Sequence, residues 1–164
     1  MLRKWKIVLP IFVTIIVFCF WYTRPRSFED LSGAGEIRNY SMTASVSSTE
    51  NGKAISETWT VNSYEDGTGT ALKEILSSCK YRASLRSLLP FPSHDTIRGE
   101  GNIMIHFGVV MDSGSDFTAI YKGQTATISF DRTMVLQAED RDISQKLLDF
   151  AKTYGSLTSS SVKE

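Results

Sequence analysis

The chain has 164 residues, enough for one domain of ordinary size and too few for two enzyme-sized ones. With 41% hydrophobic and 22% charged residues, 11 Gly and 4 Pro, its composition is that of a packed chain, outside the disordered and fibrous classes. The formal charge of zero divides unevenly: residues 1–26 hold five basic groups and no acid, and the remainder carries 13 basic and 18 acidic residues, a net of −5.

Ile7 to Tyr22 is a run of sixteen uncharged residues, bracketed by Lys6 and by Arg24-Pro25-Arg26. Counted from Trp5 it is eighteen residues, roughly 27 Å of helix, close to the hydrocarbon thickness of a bilayer. Trp5, Trp21 and Tyr22 then fall at the two interfaces, where amphipathic rings are favoured. Pro10 falls in the first turns of the segment, where one lost backbone hydrogen bond is tolerated. The segment reads as a single-pass anchor at the cell membrane. A cleaved signal peptide needs small residues after its core; here Phe20-Trp21-Tyr22 follows, and Ser32-Gly33-Ala34-Gly35 comes too late. Cys19 lacks the small-residue context of a lipidation site and reads as a lipid-facing thiol. Arg3, Lys4 and Lys6 outweigh Arg24 and Arg26, which predicts the amino terminus in the cytoplasm and the acidic part of the chain outside.

Residues 23–37 mix Arg, Pro, Ser, Gly and acids without periodicity and read as a stalk. From Tyr40 the chain alternates, with Tyr40, Met42, Ala44 and Val46 on one face, which predicts a half-buried strand. Asn51-Gly52 is the preferred two-residue hairpin loop, and that loop pairs Val46 with Glu57, Ala44 with Trp59 and Met42 with Val61, leaving Glu57 alone among apolar neighbours. The sequon Asn39-Tyr40-Ser41 lies on this strand.

Leu72, Ile75, Leu76 and Cys79 are spaced as one face of a helix, so Cys79 is expected in the core. Leu85, Leu88, Leu89 and Phe91 predict a helical turn closed by Pro90 and Pro92. Ile103–Met111 is a nearly continuous apolar run, read as a strand covered on both faces, with His106 packed inside. Strands over 117–121, 125–130 and 133–138 complete a meander. A second helix starts at Asp142, with Gln145 at the capping-box position, and ends at Gly155; the Ser-rich remainder reads as a frayed tail.

The predicted architecture is α+β: an anchor over residues 1–22, a stalk over 23–37, an antiparallel sheet with two helices on one face over 38–155, and a flexible tail over 156–164. The sheet is read as a hairpin plus a four-stranded meander. Cys79 is the one cysteine beyond the anchor, so no disulfide forms within this part and its core alone must hold it.

The string Val109-Val110-Met111-Asp112-Ser113-Gly114-Ser115 resembles the aspartic-protease signature, in which two carboxylates share a proton and activate water. One copy is present, so a small hydrolase of that kind would need a dimer, with Asp112 catalytic and Glu57 or His106 assisting. The competing reading is an ordinary hairpin loop, built from the same residue types. Asp112, Ser113, Ser115 and Asp116 lack the acidic density of a calcium loop. His94 and His106 are the only histidines and have no Cys or second His at zinc-ligand spacing, so no metal or other cofactor is expected.

Lys80, Arg82, Arg86 and Arg98 form the one basic cluster of the acidic part, a candidate site for anionic headgroups or cell-envelope phosphates, with a solvated rim as the plainer reading. Gly33-Ala34-Gly35 and Gly67-Thr68-Gly69 lack the residues of a phosphate loop, and an acidic outer domain argues against nucleic acid.

The basic-flanked anchor, the Ser/Thr-rich first strand, Asn-Gly-Lys at 51–53 and the stretch from Leu72 to Arg82 resemble small membrane-anchored surface proteins of Firmicute-type bacteria. The resemblance implies a location and a domain plan, and carries no catalytic residues over. A non-enzymatic, membrane-tethered module that binds a protein or cell-envelope partner is therefore the preferred expectation.

Overall fold

The structure is a computed structural model that describes residues 2–33, 35–50, 53–62, 67–84, 102–129 and 133–163; of residues 2–8 and 163 only the backbone is described. The amino-terminal helix α1 (Leu2–Tyr22) leads to a single turn of helix, α2 (Phe28–Ser32), and then to β1 (Ile37–Glu50) and β2 (Lys53–Asn62). Helix α3 (Thr68–Ser77) and β3 (Tyr81–Ala83) follow, then the meander β4 (Ile103–Met111), β5 (Asp116–Lys122), β6 (Thr125–Ser129) and β7 (Thr133–Ala138). Helix α4 (Ile143–Tyr154) and β8 (Ser156–Lys163) close the described chain.

The fold is α+β: among the described residues the strands form one antiparallel sheet of eight in the order β3-β7-β6-β5-β4-β1-β2-β8. The hairpin and the meander are fused where β1 pairs with β4. The hairpin register is the one its loop dictates: Val46 faces Glu57, Ala44 faces Trp59 and Met42 faces Val61. Asn51 and Gly52, and the segment 85–101 that carries the expected Pro-closed turn, lie outside the described residues.

One face of the sheet is apolar and packs under α3 and α4, which touch each other and β1. An aromatic row crosses that face. Phe28 meets Phe117 at 5.7 Å between centroids, Phe117 meets Phe107 at 6.3 Å, Phe107 stacks on Tyr121 at 5.6 Å, and Tyr121 meets Tyr81 at 6.4 Å. The row ends in buried hydroxyls: Tyr121 Oη donates to Tyr81 Oη, and Tyr81 Oη donates to the Leu76 carbonyl near the end of α3, both at 3.0 Å. Burial pushes both phenols up from their ordinary pKa, so they stay neutral donors. Cys79 is buried as the helical spacing predicts.

Four expectations are corrected. The described residues of 23–37 are not a stalk but part of the folded unit: Phe28 is fully buried, and Arg26 and Tyr81 exchange backbone hydrogen bonds of 2.9 Å. Burying one aromatic side chain is worth about 2–3 kcal/mol, enough to hold a short segment against the core. The tail over 156–164 is not frayed up to Lys163, because its backbone satisfies the edge of β2, whose N–H and C=O groups favour a neighbouring strand. β4 is not doubly covered: its residues alternate, and Met104, His106 and Val110 are exposed on the face away from the helices, because an antiparallel sheet with one layer of helices leaves its second face to solvent. His106 is therefore outside the core. Asp142 precedes α4 without a side-chain cap, because its backbone at φ −98°, ψ 7° is outside the extended conformation of a capping residue; its N–H is taken by Asp140 Oδ1 at 2.9 Å instead of by Gln145, which turns forward to Asp149.

Helix α1 is continuous through Pro10, and Thr14 Oγ1 donates to the Pro10 carbonyl at 2.8 Å. Among the described residues no helix is long and apolar enough to cross a membrane. The segment read from the sequence begins at Ile7, and side chains before Leu9 lie outside the described residues.

Candidate functional site

Asp112 occupies an exposed tight turn between β4 and β5, where Gly114 adopts φ +83° and its N–H donates to the Met111 carbonyl at 3.0 Å. Its carboxylate Oδ1 accepts from the Glu36 N–H at 3.0 Å, and its own N–H donates to the Glu36 carbonyl at 2.9 Å. Ser113 and Ser115 share a hydrogen bond of 2.9 Å across the turn. Among the described residues no second carboxylate is hydrogen-bonded to Asp112, so its visible work is to fasten the segment before β1 onto the β4–β5 turn. Nearby, Lys73 pairs with Glu36 at 2.7 Å; that hydrogen bond, then the charges of Glu36, Glu29 and Asp112, raise the pKa of the ammonium. Glu57 is half-buried between Val46 on β1 and Ser160 on β8. His106 lies in a cross-strand row between Thr43 and Ile120, far in register from the Asp112 turn. The structure does not bring Asp112, Glu57 and His106 together.

The basic cluster is described only in part, since Arg86 and Arg98 lie outside the described residues, as does His94. Lys80 is exposed, and Arg82 is held by Glu139 through Nε and Oε1 at 2.8 Å. Both are exposed, so the pair contributes little to stability. Among the described residues no group of three or more His, Cys, Asp or Glu side chains converges on a point where a metal ion would sit. The Cys79 thiol donates to the Lys80 carbonyl at 3.2 Å and accepts from the Asp140 N–H at 3.3 Å. Burial pushes its pKa up, which suits a structural thiol and not a nucleophile.

The concave site on the sheet is one that sequence reasoning passed over. A groove of about 520 Å³ opens where Gly108 interrupts β4, lined by Asn39 and Ser41 on β1, Asn62 on β2, Asp116 and Thr118 on β5, and Ser129 on β6. The registers explain the grouping, because Asn62, Ser41, Gly108, Thr118 and Ser129 are consecutive partners along one cross-strand row. Glycine supplies no side chain at the centre of that row, and a cross-strand line of small hydroxyl and amide groups forms the rest. Ser41 Oγ donates to Asn62 Oδ1 at 2.9 Å. An isolated glycine inside a strand pattern was the available signal.

Chemically the groove offers amide and hydroxyl hydrogen bonds, one carboxylate at Asp116 and an apolar rim at Val110. Such a set holds a polar partner by hydrogen bonds; it does not place a nucleophile beside a base. A second cleft, of about 840 Å³, lies at the other side of the Asp112 turn and is bounded by Arg26, Asp30, Ser113, Ser115 and Asp116. Its wall is built by the segment that follows α1.

Comparison of the chain with protein-family models, with curated proteins and with solved structures gives no match.

Proposed function

We propose that the chain is a membrane-tethered extracytoplasmic interaction module, held at the bilayer by α1 and meeting a protein or cell-envelope partner with the face of the sheet that carries the Gly108 groove. The observation that supports this most is the surface of α1. From Leu9 to Trp21 its large apolar side chains are 47% to 81% exposed, and Ile11, Phe12, Val13, Ile15, Ile16, Val17 and Phe18, nearly two turns of helix, point to every side. A helix apolar all round belongs in a core or in lipid, and the rest of the described chain builds its core without residues 9–21. Among the described residues of this helix Tyr22 alone joins that core, which marks where the helix leaves the folded unit. The amino-terminal basic residues favour a cytoplasmic amino terminus and an outer domain.

The test uses the whole chain. In right-side-out membranes the protein should resist alkaline carbonate extraction, and protease added outside should digest everything beyond Arg26. Arg at both Ile15 and Val17 should move it to the soluble fraction, since each charge at mid-bilayer costs about 3 kcal/mol on insertion scales. Wild-type protein recovered in the soluble fraction overturns the tether, and protection from outside protease overturns the orientation. A photocrosslinker at Thr118 should capture an envelope component in intact cells; a chain that stays free of adducts counts against the groove as the meeting surface.

A further inference from the structure

The junction between α1 and the folded unit concentrates positive charge in a way the fold itself does not use. Arg24 and Arg26 both lay their guanidinium groups over the indole of Trp21, with the central carbons 5.7 and 5.9 Å from the ring centroid. Two like charges gathered on one ring repel each other, and contact with the ring face offsets only part of that. The charges of both arginines act on the Asp30 carboxylate, but its Oδ2 already accepts the Ser27 N–H at 2.9 Å in the cap of α2. Arg26 is also fixed in place, because its backbone is pinned to Tyr81, and its Nε is buried with no hydrogen-bond partner among the described residues. Beside it opens the cleft of about 840 Å³, lined by Arg26, Asp30 and Asp116 and by Ser113 and Ser115.

We propose that this cleft is a binding site for the headgroup of an amino-phospholipid of the phosphoethanolamine class, drawn from the leaflet in which α1 ends. The phosphodiester lies against the guanidinium of Arg26, whose planar fork matches its oxygens, with Arg24 adding positive charge from the Trp21 ring beside the cleft, and the ammonium lies toward Asp30 and Asp116. Trp21 sets the depth, since an indole at the end of an apolar helix sits at headgroup level. A cleft that sets one arginine, Arg26, against the carboxylates of Asp30 and Asp116 matches a zwitterion better than an anion alone. The site rests on the membrane reading of α1.

The experiment reconstitutes the full chain in phosphatidylcholine vesicles containing a tenth of phosphatidylethanolamine that keeps its free amine and carries a photoreactive group on an acyl chain close to the glycerol, and compares wild type with Arg26→Gln and Arg24→Gln. Flotation reports the anchor, and the yield of crosslinked peptide from residues 110–118 reports the site. The expected result is unchanged flotation and a crosslink reduced about five-fold by Arg26→Gln, the loss that follows from one arginine at a membrane surface. Arg24→Gln, at an exposed side chain, should act in the same direction without disturbing the fold. Flotation with a crosslink indifferent to both substitutions overturns the site and leaves the anchor standing. Wild-type protein that does not float overturns both. Full competition by micromolar soluble glycerophosphoethanolamine overturns the lipid as the source.

Discussion

Asp112 and Glu36 close a reciprocal pair: the Asp112 carboxylate accepts the Glu36 N–H at 3.0 Å while the Glu36 carbonyl accepts the Asp112 N–H at 2.9 Å. A residue that in sequence resembles a catalytic aspartate is here a fastener between the segment before β1 and the β4–β5 turn. Asp112→Ala should therefore cost about 1 kcal/mol, the net value of one hydrogen bond, whereas Asp112→Asn retains Oδ1 as acceptor and should cost less. Chemical denaturation of the two variants checks the order.

The buried tyrosines predict an asymmetry. Tyr121→Phe removes a donor whose partner, Tyr81 Oη, still donates to the Leu76 carbonyl, so the loss should be about 1 kcal/mol. Tyr81→Phe leaves both the Tyr121 hydroxyl and the Leu76 carbonyl without that partner inside the core, and should cost about 2–3 kcal/mol. Replacing both should cost less than the two losses added, because no orphaned hydroxyl remains. Equilibrium unfolding of the three variants measures each quantity.

A pH dependence follows from Asp140, which holds the start of α4. The Lys146 ammonium at 2.7 Å, then the Asp142 N–H, lower its pKa below the ordinary 3.8. Because the folded state binds this proton more weakly than the unfolded chain, the stabilisation is present above the ordinary value and is lost as pH falls through the depressed one. Lys146 shifts upward for the same contact, so its share is present below its ordinary 10.5 and is lost as pH rises through the raised value. Asp140→Asn should thus lower the thermal midpoint at pH 7, and its difference from wild type should shrink below pH 4, as read by circular dichroism melts.

The parts of the fold legible in the sequence are those where a short-range rule fixes long-range partners. Asn51-Gly52 sets a two-residue loop, and the loop alone dictates ten pairs from Ser41–Asn62 to Glu50–Lys53. The Leu72, Leu76 and Cys79 face is likewise local periodicity. What stayed illegible depends on surfaces made elsewhere. β8 is mostly Ser and Thr, with no alternation to mark it, and is a strand because β2 presents an open edge. The five-residue α2 is too short for a helical period, although Ser27 and Asp30 carry a capping box that marks its start. The groove at Gly108 exists only once five strands bring their small residues into one row, so neither Asn62 nor Ser129 stands out alone. The arginines beside Trp21 were legible as flanking charge but not as neighbours on one ring.

Gly155 is required by space. A Cβ there would come within 2.5 Å of the Ala151 carbonyl, 2.7 Å of the Thr60 carbonyl and 2.8 Å of a Val61 methyl, and two of these are backbone atoms. Its φ of −111° is open to any residue, so the constraint is the close passage of the chain from α4 to β8 along β2. Gly155→Ala should cost about 1–3 kcal/mol by overpacking and loosen β8 first. Hydrogen exchange should then show protection lost at Leu157–Val162 while the β4–β5 amides keep theirs.

Phe28 decides whether the segment after α1 is a tether or a piece of the core. It is fully buried, and its ring meets Phe117 at 5.7 Å in an edge arrangement at one end of the aromatic row. A true stalk would tolerate Phe28→Ala without change. The packing instead predicts a loss of about 3–5 kcal/mol, the usual result of emptying a buried aromatic position. The damage should be local in origin, with the Arg26–Tyr81 backbone pair opening before the hairpin register between β1 and β2. Denaturant unfolding of the full chain gives the magnitude. Amide exchange at Arg26 and Tyr81, faster in the variant while exchange along Met42 to Val46 is unchanged, gives the order. Equal loss at both places would place Phe28 in the same cooperative unit as the hairpin, which the ring contact with Phe117 alone does not require.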